Sequence, residues 1–136
     1  PATPESSTLS PPAALPISGV QNGDETPQAI ECRPHPEDGV VALVSRSHRT
    51  PEVDTFLEDY TVKAETSAGS SLKFCLVAAG QADIYPRLGR TMEWDTAAGH
   101  AVVRYAGGSV SLIDGGELGY GKPGFENPHF VVKGLA

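Results

Sequence analysis

Cations and sulfur are scarce in this chain. Of 136 residues, 10 are Lys or Arg against 17 Asp or Glu, a formal net charge of −7, and two are cysteine. The shortage of basic residues excludes a nucleic-acid-coating surface, because duplex binding rests on clustered Lys and Arg that displace counterions from phosphates. A small anionic ligand stays open, since a few placed cations suffice for it. Cys32, beside Arg33 in a Pro-rich stretch, and Cys75, inside an apolar run, form no disulfide framework. His35 alone stands near Cys32, too few ligands for zinc, and both cysteines are read as free thiols, Cys75 as packing. No apolar run approaches the ~20 residues of a membrane-spanning helix, and no basic segment followed by an apolar one marks a signal peptide. The expectation is a soluble, cytoplasmic protein with no peripheral membrane contact. Neither G-x-x-x-x-G-K-[ST] nor G-x-S-x-G occurs, which removes a Walker loop and a nucleophile elbow.

Proline is abundant but unevenly placed: eight of the twelve fall at or before Pro36. With six acids against Arg33 alone over residues 1–39 and little apolar periodicity, the start of the chain cannot offset its ordering entropy. Residues 1–27 are expected as a Pro-rich acidic linker or tail, with a short edge strand over 29–32, and residues 28–136 as one folded unit. From Gly39 the pattern changes. Val40-Val41-Ala42-Leu43-Val44 reads as a strand buried on both faces. Thr50-Pro51 opens a helix with Val53, Phe56 and Leu57 on one side, and a second strand follows over 61–66.

Gly69-Ser70-Ser71 opens a mostly buried helix to Ala79, striped by Leu72, Leu76 and Ala79, widened by Phe74 and Val77, and stopped by Gly80. Residues 82–85 suggest a strand ended by Pro86. Asp95 is placed to cap a helix running to Ala106, and a strand, an Asp114-Gly115 turn and a last strand over 130–132 complete the chain. Strands alternating with helices make an α/β layered sandwich with a mostly parallel sheet and flanking helices.

Three stretches could carry chemistry. Ser67-Ala68-Gly69-Ser70-Ser71-Leu72-Lys73 places amide groups and a cation at a helix start, a combination suited to an anion, although Ser70 could equally be a plain cap. Glu93-Trp94-Asp95-Thr96-Ala97-Ala98-Gly99 sets a carboxylate where a hard divalent cation could use it, or where it caps the helix. Ser45-Arg46-Ser47-His48-Arg49 directly follows the apolar strand, and open α/β sheets bind ligands beyond the carboxyl ends of their strands. His100 and His129 read as structural.

In order along the chain, Ser45-Arg46-Ser47-His48, Gly69 through Ala78, Ala82 through Arg87, Glu93 through Ala101 and Ala106-Gly107-Gly108, with Asn127-Pro128-His129-Phe130 near the end, form a recognisable series. The series resembles the C-terminal half of CysQ-type 3'(2'),5'-bisphosphate nucleotidases, within the inositol monophosphatase-like superfamily of Mg²⁺-dependent phosphatases. W-D-x-A-A-G followed by A-G-G is that superfamily's C-terminal signature. The resemblance implies the C-terminal subdomain of the sugar-phosphatase fold and removal of the 3'-phosphate from adenosine 3',5'-bisphosphate to give AMP, in sulfur assimilation. It implies Asp95 as a Mg²⁺ ligand close to the substrate, and Ser45, His48, Gly69, Ser70, Lys73 and Arg87 around the nucleotide.

The family's acidic Glu-Glu element and its D-P-[IL]-D-G-T motif are absent, and His35-Pro36-Glu37-Asp38-Gly39 has His and Val40 where that motif needs Asp and Thr. No catalytic residue is therefore assigned within this chain. The isolated chain is expected to be inactive or weakly active, partnered by the missing half or by itself. Other readings of the same residues are a non-enzymatic remnant or nucleotide-binding interaction module with this fold, and an inositol monophosphatase-type phosphatase.

Overall fold

The computed structural model describes residues 17–69 and 71–135. The elements run β1 (Gly19–Val20), β2 (Gln28–Ala29), β3 (Val40–Leu43), α1 (Pro51–Leu57), β4 (Val62–Thr66), α2 (Leu72–Ala78), β5 (Ile84–Arg87), β6 (Thr91–Met92), α3 (Glu93–Arg104), β7 (Ser109–Leu112), a 3-10 turn at Pro123–Phe125, β8 (Glu126–Asn127) and β9 (Phe130–Lys133). The central sheet has the order β4-β3-β5-β9-β7. Among the described residues no helix is long and apolar enough to cross a membrane.

The sheet divides the core by residue parity, as a pleated strand must. Leu43 of β3, Tyr85 of β5, Phe130 and Val132 of β9 and Val110 of β7 pack with Phe74, Val77 and Ala78 of α2 and Val103 of α3. Val40 and Ala42 of β3, Ile84 of β5 and Val131 of β9 pack on the other face with Val53 and Leu57 of α1. A layered α/β sandwich results, with two helices on one face and α1 on the other. The two-faced burial of β3 is the one expected from its unbroken apolar run.

Several details depart from the sequence reading. The sheet is mixed: β3 pairs in parallel with β4 and β5, but β9 lies antiparallel between β5 and β7, so the expected parallel character holds for one side of it. The chain reaches β9 from β7 through the Gly115 turn and the long excursion through β8, and no crossover helix intervenes to enforce a parallel return. Pro86 lies inside β5, opposite Val131, and does not end the strand. Having no N–H, proline is tolerated because the β3 ladder touches β5 only at Ala42–Ile84, while the β9 ladder runs on to Arg87–Phe130.

The stripe on α2 is rotated from the expected one. Phe74, Val77 and Ala78 face inward with Lys73, whereas Leu72 is 53% exposed and Cys75 is exposed, so Cys75 does not serve packing. What turns the helix is α3: the ring of Phe74 presses so close to Gly99 that a Cβ there would stand 2.5 Å from it. Buried Cys32 and exposed Cys75 are both free thiols.

Residues 1–16, most of the expected linker, and Ser70 lie outside the described residues. Within 17–27 the chain is already structured. β1 pairs with β2, Ser18 is buried, its N–H donates to the carbonyl of Tyr105 and its hydroxyl to that of Val102. A boundary at residue 27 therefore cuts a hairpin docked on the C-terminal end of α3. That hairpin, rather than an edge strand over 29–32, is what the segment forms.

A cationic cleft at the carboxyl ends of the parallel strands

The segments leaving β3 (45–48) and β4 (67–69), the end of β5 at Arg87, the start of α2 and the start of α3 converge on one cleft of about 610 Å³. Ser45, His48, Gly69, Lys73, Arg87 and Asp95 all line it, joined by Arg46, Thr91, Thr96, Tyr85 and Phe130. Of the residues expected around a ligand, only Ser70 lies outside the description. The place is the one that the topology favours, beyond the carboxyl ends of parallel strands.

The loop after β3 is held by its own polar groups. The backbone N–H of His48 donates to the hydroxyl of Ser45 at 3.1 Å, and the hydroxyls of Ser45 and Ser47 stand 3.2 and 3.0 Å from His48 Nδ1. Arg46 Nε donates to Ser67 Oγ at 3.0 Å, tying this loop to the one after β4. Behind the cleft, Arg49 spans Asp54 and Glu65 and fixes the start of α1 against β4.

Lys73 is the unusual group. Its residue is 4% exposed, and among the described residues no carboxylate pairs with it. Its ammonium sits 5.3 Å from the centroid of the Tyr85 ring, a cation–π contact that balances part of the charge. Burial first, and the nearby Arg87 guanidinium second, lower the Lys73 pKa from its ordinary value. Arg87 is equally short of partners: Nη2 donates to the carbonyl of Arg90 at 3.1 Å, but the buried Nε has no hydrogen-bond partner. Burial pushes the Tyr85 phenol up, and Arg87 moderates the effect. Two neighbouring cations without counter-charges, in a chain of net charge −7, form a site that an anion would complete.

Asp95 is not the cap of its helix, as the sequence suggested, but the third helical residue of α3. The cap is Met92, whose N–H donates to Asp95 Oδ2 at 2.9 Å. The helix begins earlier than expected because Thr91–Met92 is held as β6 against β8. Asp95 is exposed, and it is the one carboxylate among the described residues of the cleft lining. No cluster of three or more His, Cys, Asp or Glu exists among the described residues. Hard cations take several oxygen ligands, so the donors among the described residues do not by themselves fit a divalent metal centre.

A polar network that the sequence did not reveal supports the cleft wall. Asn127 Nδ2 donates to both Thr91 Oγ1 and Thr96 Oγ1 at 3.1 Å, Tyr120 Oη donates to Thr96, and Tyr120 Oη lies 2.8 Å from His100 Nδ1. His100 is thus buried and structural, whereas His129 is exposed and lines nothing in the cleft. Glu93 accepts from the N–H groups of Gly121 and Lys122 and pairs with Lys122 Nζ at 2.7 Å, which draws its pKa down to about 2. Only the pairing of β6 with β8 brings these partners together, so no local sequence signal could have announced them.

A profile of the Inositol monophosphatase family matches residues 15–133. The 3'(2'),5'-bisphosphate nucleotidase CysQ of Escherichia coli (strain K12) is 50% identical over 93 residues, covering 68% of this chain and 38% of that protein. An uncharacterized protein in the pss 5' region of Rhizobium leguminosarum bv. phaseoli is 56% identical over 86 residues, 59% of this chain and 90% of that one. Among solved structures, CysQ from Bacteroides thetaiotaomicron, a bacterial member of the inositol monophosphatase family, superposes with a TM-score of 0.71 at 42% identity, covering 81% of this chain and 42% of that chain. The chain spans about two fifths of the length of these two CysQ proteins.

Proposed function

Since the chain belongs to the inositol monophosphatase family, we propose that it is the substrate-binding half of a Mg²⁺-dependent 3'(2'),5'-bisphosphate nucleotidase, which removes the 3'-phosphate of adenosine 3',5'-bisphosphate to give AMP in sulfur assimilation. The likeness to CysQ supports that choice of substrate over an inositol phosphate. The observation that carries the reading is the pair Lys73, buried, and Arg87, half-buried with its Nε enclosed and unbonded, neighbours without a carboxylate partner among the described residues in a cleft large enough for a nucleotide.

In this reading Lys73 and Arg87 receive phosphate oxygens, Arg46 and the Gly69 backbone flank them, and the Ser45–His48 loop encloses the rest of the nucleotide. A dianion restores to Lys73 the counter-charge that burial denies it, so binding raises its pKa and takes up a proton at high pH. Asp95 would be this chain's contribution to holding Mg²⁺, which would supply charge stabilisation at the phosphate. The remaining carboxylates belong to residues outside this chain, and the chain alone is inactive or weakly active. These residues bind and orient; the displacement itself needs ions placed for both nucleophile and leaving oxygen.

A second reading, an interaction module of the same fold, draws on Trp94, 70% exposed, and Phe125, 52% exposed, whose ring centroids lie 6.5 Å apart on the surface beside the cleft. In the favoured reading this patch meets the catalytic half or a second copy, and the assembly is cytoplasmic.

Calorimetric titration of the chain with adenosine 3',5'-bisphosphate, with and without Mg²⁺, tests the proposal alongside phosphate release. Binding that Lys73→Gln weakens by roughly 10- to 150-fold, without turnover, is the expected result. Mg²⁺-dependent turnover lost in Asp95→Asn would overturn the incompleteness of the site, and absence of binding by the folded chain would overturn the substrate.

A further inference from the structure

A second cavity, of about 330 Å³, opens at the other end of the sheet. Val40 begins β3, Ile84 begins β5, Ser109 begins β7 and Lys133 ends β9, and all four line it with Arg33, His35, Tyr60 and Leu135. The nucleotide cleft is formed at the opposite strand ends and shares no lining residue with this cavity.

Its charges are unbalanced in a definite way. Asp83 is the one carboxylate of the lining, but its side chain is 4% exposed and already committed. Oδ1 accepts from Arg33 Nε at 2.7 Å, and Oδ2 accepts from Arg33 Nη2 at 2.6 Å and from the N–H of Val41 at 2.7 Å. That bidentate pair uses one edge of the guanidinium; Nη1 donates to no described residue, and the Arg33 side chain is 39% exposed. Lys133 has no carboxylate partner among the described residues, and its ammonium lies 5.8 Å from the centroid of the Tyr60 ring. Exposed His35 adds an imidazole to the lining. Leu135 and the Tyr60 ring, over the buried Val40 and Ile84, supply the apolar part of the lining.

We propose that this cavity is a second binding site, for a small aromatic anion such as an aryl phosphate, sulfate or carboxylate. The anionic group meets Lys133, His35 and the free edge of Arg33, and the ring packs against Tyr60, Val40 and Ile84. The volume is at the lower end of the roughly 300–1,000 Å³ range of small-molecule sites, so a single ring with one anionic group fits better than a nucleotide. The site stands independently of the function proposed for the cleft.

The test is an amide chemical-shift titration of the chain with phenyl phosphate in EDTA, which prevents metal-assisted hydrolysis, carried out in the Lys73→Gln background to silence the cleft. Inorganic phosphate and neutral benzyl alcohol serve as the two partial probes. The expected result is a saturable shift confined to Val40, Tyr60, Ile84, Ser109, Lys133 and Gly134, weaker by about tenfold for either partial probe and in Lys133→Gln. Tyr60→Leu, which leaves every cation in place, weakens phenyl phosphate and leaves inorganic phosphate unchanged. Shifts confined to the cleft loops, equal affinity in Lys133→Gln, or equal response to inorganic phosphate would each overturn the proposal.

Discussion

Replacing Lys73 by Met separates binding from folding if, as proposed, the cation serves a ligand at the expense of the free chain. Met keeps an unbranched apolar stem beside Tyr85 and removes an ammonium that burial and Arg87 both disfavour. Exchanging buried charge for apolar volume is worth about 1–4 kcal/mol where whole ion pairs are replaced. Here the ammonium faces a cleft, and the lost cation–π contact subtracts about 0.5–1 kcal/mol. The expected net is a gain of about 1 kcal/mol, a rise in Tm of about 3–5 °C. Affinity for adenosine 3',5'-bisphosphate moves the opposite way. A charge-assisted bond to phosphate of about 1.5–3 kcal/mol is lost, roughly 10- to 150-fold in Kd. The pH dependence adds a second signature. With the folded-state pKa of Lys73 below its unfolded value of 10.5, the unfolded chain binds more protons between the two, so the free wild-type chain gains stability as pH rises through that window. Lys73→Met removes that contribution, and ligand affinity in the wild type weakens over the same rise. Calorimetric unfolding and titration on the two proteins measure all three. A Lys73→Met chain that is less stable than wild type and binds as well would refute the reasoning, since Lys73 would then be a structural cation satisfied by Tyr85.

Other perturbations probe separate parts of the structure. Asp95→Asn keeps an oxygen acceptor for the Met92 N–H and should cost less than about 1 kcal/mol, while metal-free binding of the bisphosphate stays equal or tightens because a like charge leaves the cleft; weaker metal-free binding would count against the placement of the phosphate. Gly99→Ala should destabilise by about 1–3 kcal/mol in denaturant melts despite the better helix propensity of Ala, because its Cβ would lie 2.5–2.9 Å from three atoms of Phe74; an unchanged midpoint would show that α2 and α3 are less tightly apposed. The carboxylate of Glu93 is depressed to about 2, so its contribution to stability is complete above pH 4.5 and disappears as pH falls through about 2. In Glu93→Gln that part of the acid limb should flatten, and an acid unfolding curve of the same slope as wild type would contradict it.

What was legible in the sequence follows from how locally each feature is encoded. The Val40–Val44 run, the Thr50-Pro51 helix start and the Gly80 stop are set by neighbours in the chain, and the structure has them where the spacing puts them. The loops after β3 and β4 were recognisable for the same reason: a polar turn directly after a buried strand is a local pattern, and topology then carries both to one end of the sheet. Illegible features are those decided between distant segments. Which face of α2 turns inward depends on the space left by Gly99, and no periodicity within α2 contains that information. For residues 17–27, the described part of the expected linker, composition argued against order, yet Ser18 is fixed by the carbonyls of Val102 and Tyr105, more than eighty residues away.

The network behind the cleft shows why the site needs those distant contacts. Thr91 and Thr96 face the cleft from β6 and α3, and one amide group, Asn127 Nδ2, bonds both. Asn127 itself is placed by β8, and its Oδ1 accepts from Lys122 Nζ, the same ammonium that pairs with Glu93. The start of α3, and with it Asp95, is therefore clamped from behind by residues that touch no ligand. Asn127→Ala should release it: the two threonine hydroxyls lose a common donor, a loss of about 1–3 kcal/mol in stability for buried polar groups. Asn127→Asp tests the orientation, since a carboxylate can still face Lys122 but cannot donate to the threonines. If the clamp positions the cleft, both variants lower bisphosphate affinity at temperatures well below their melting transitions. Wild-type affinity in folded Asn127→Asp would mean that the wall of the cleft is held by β6 and α3 alone.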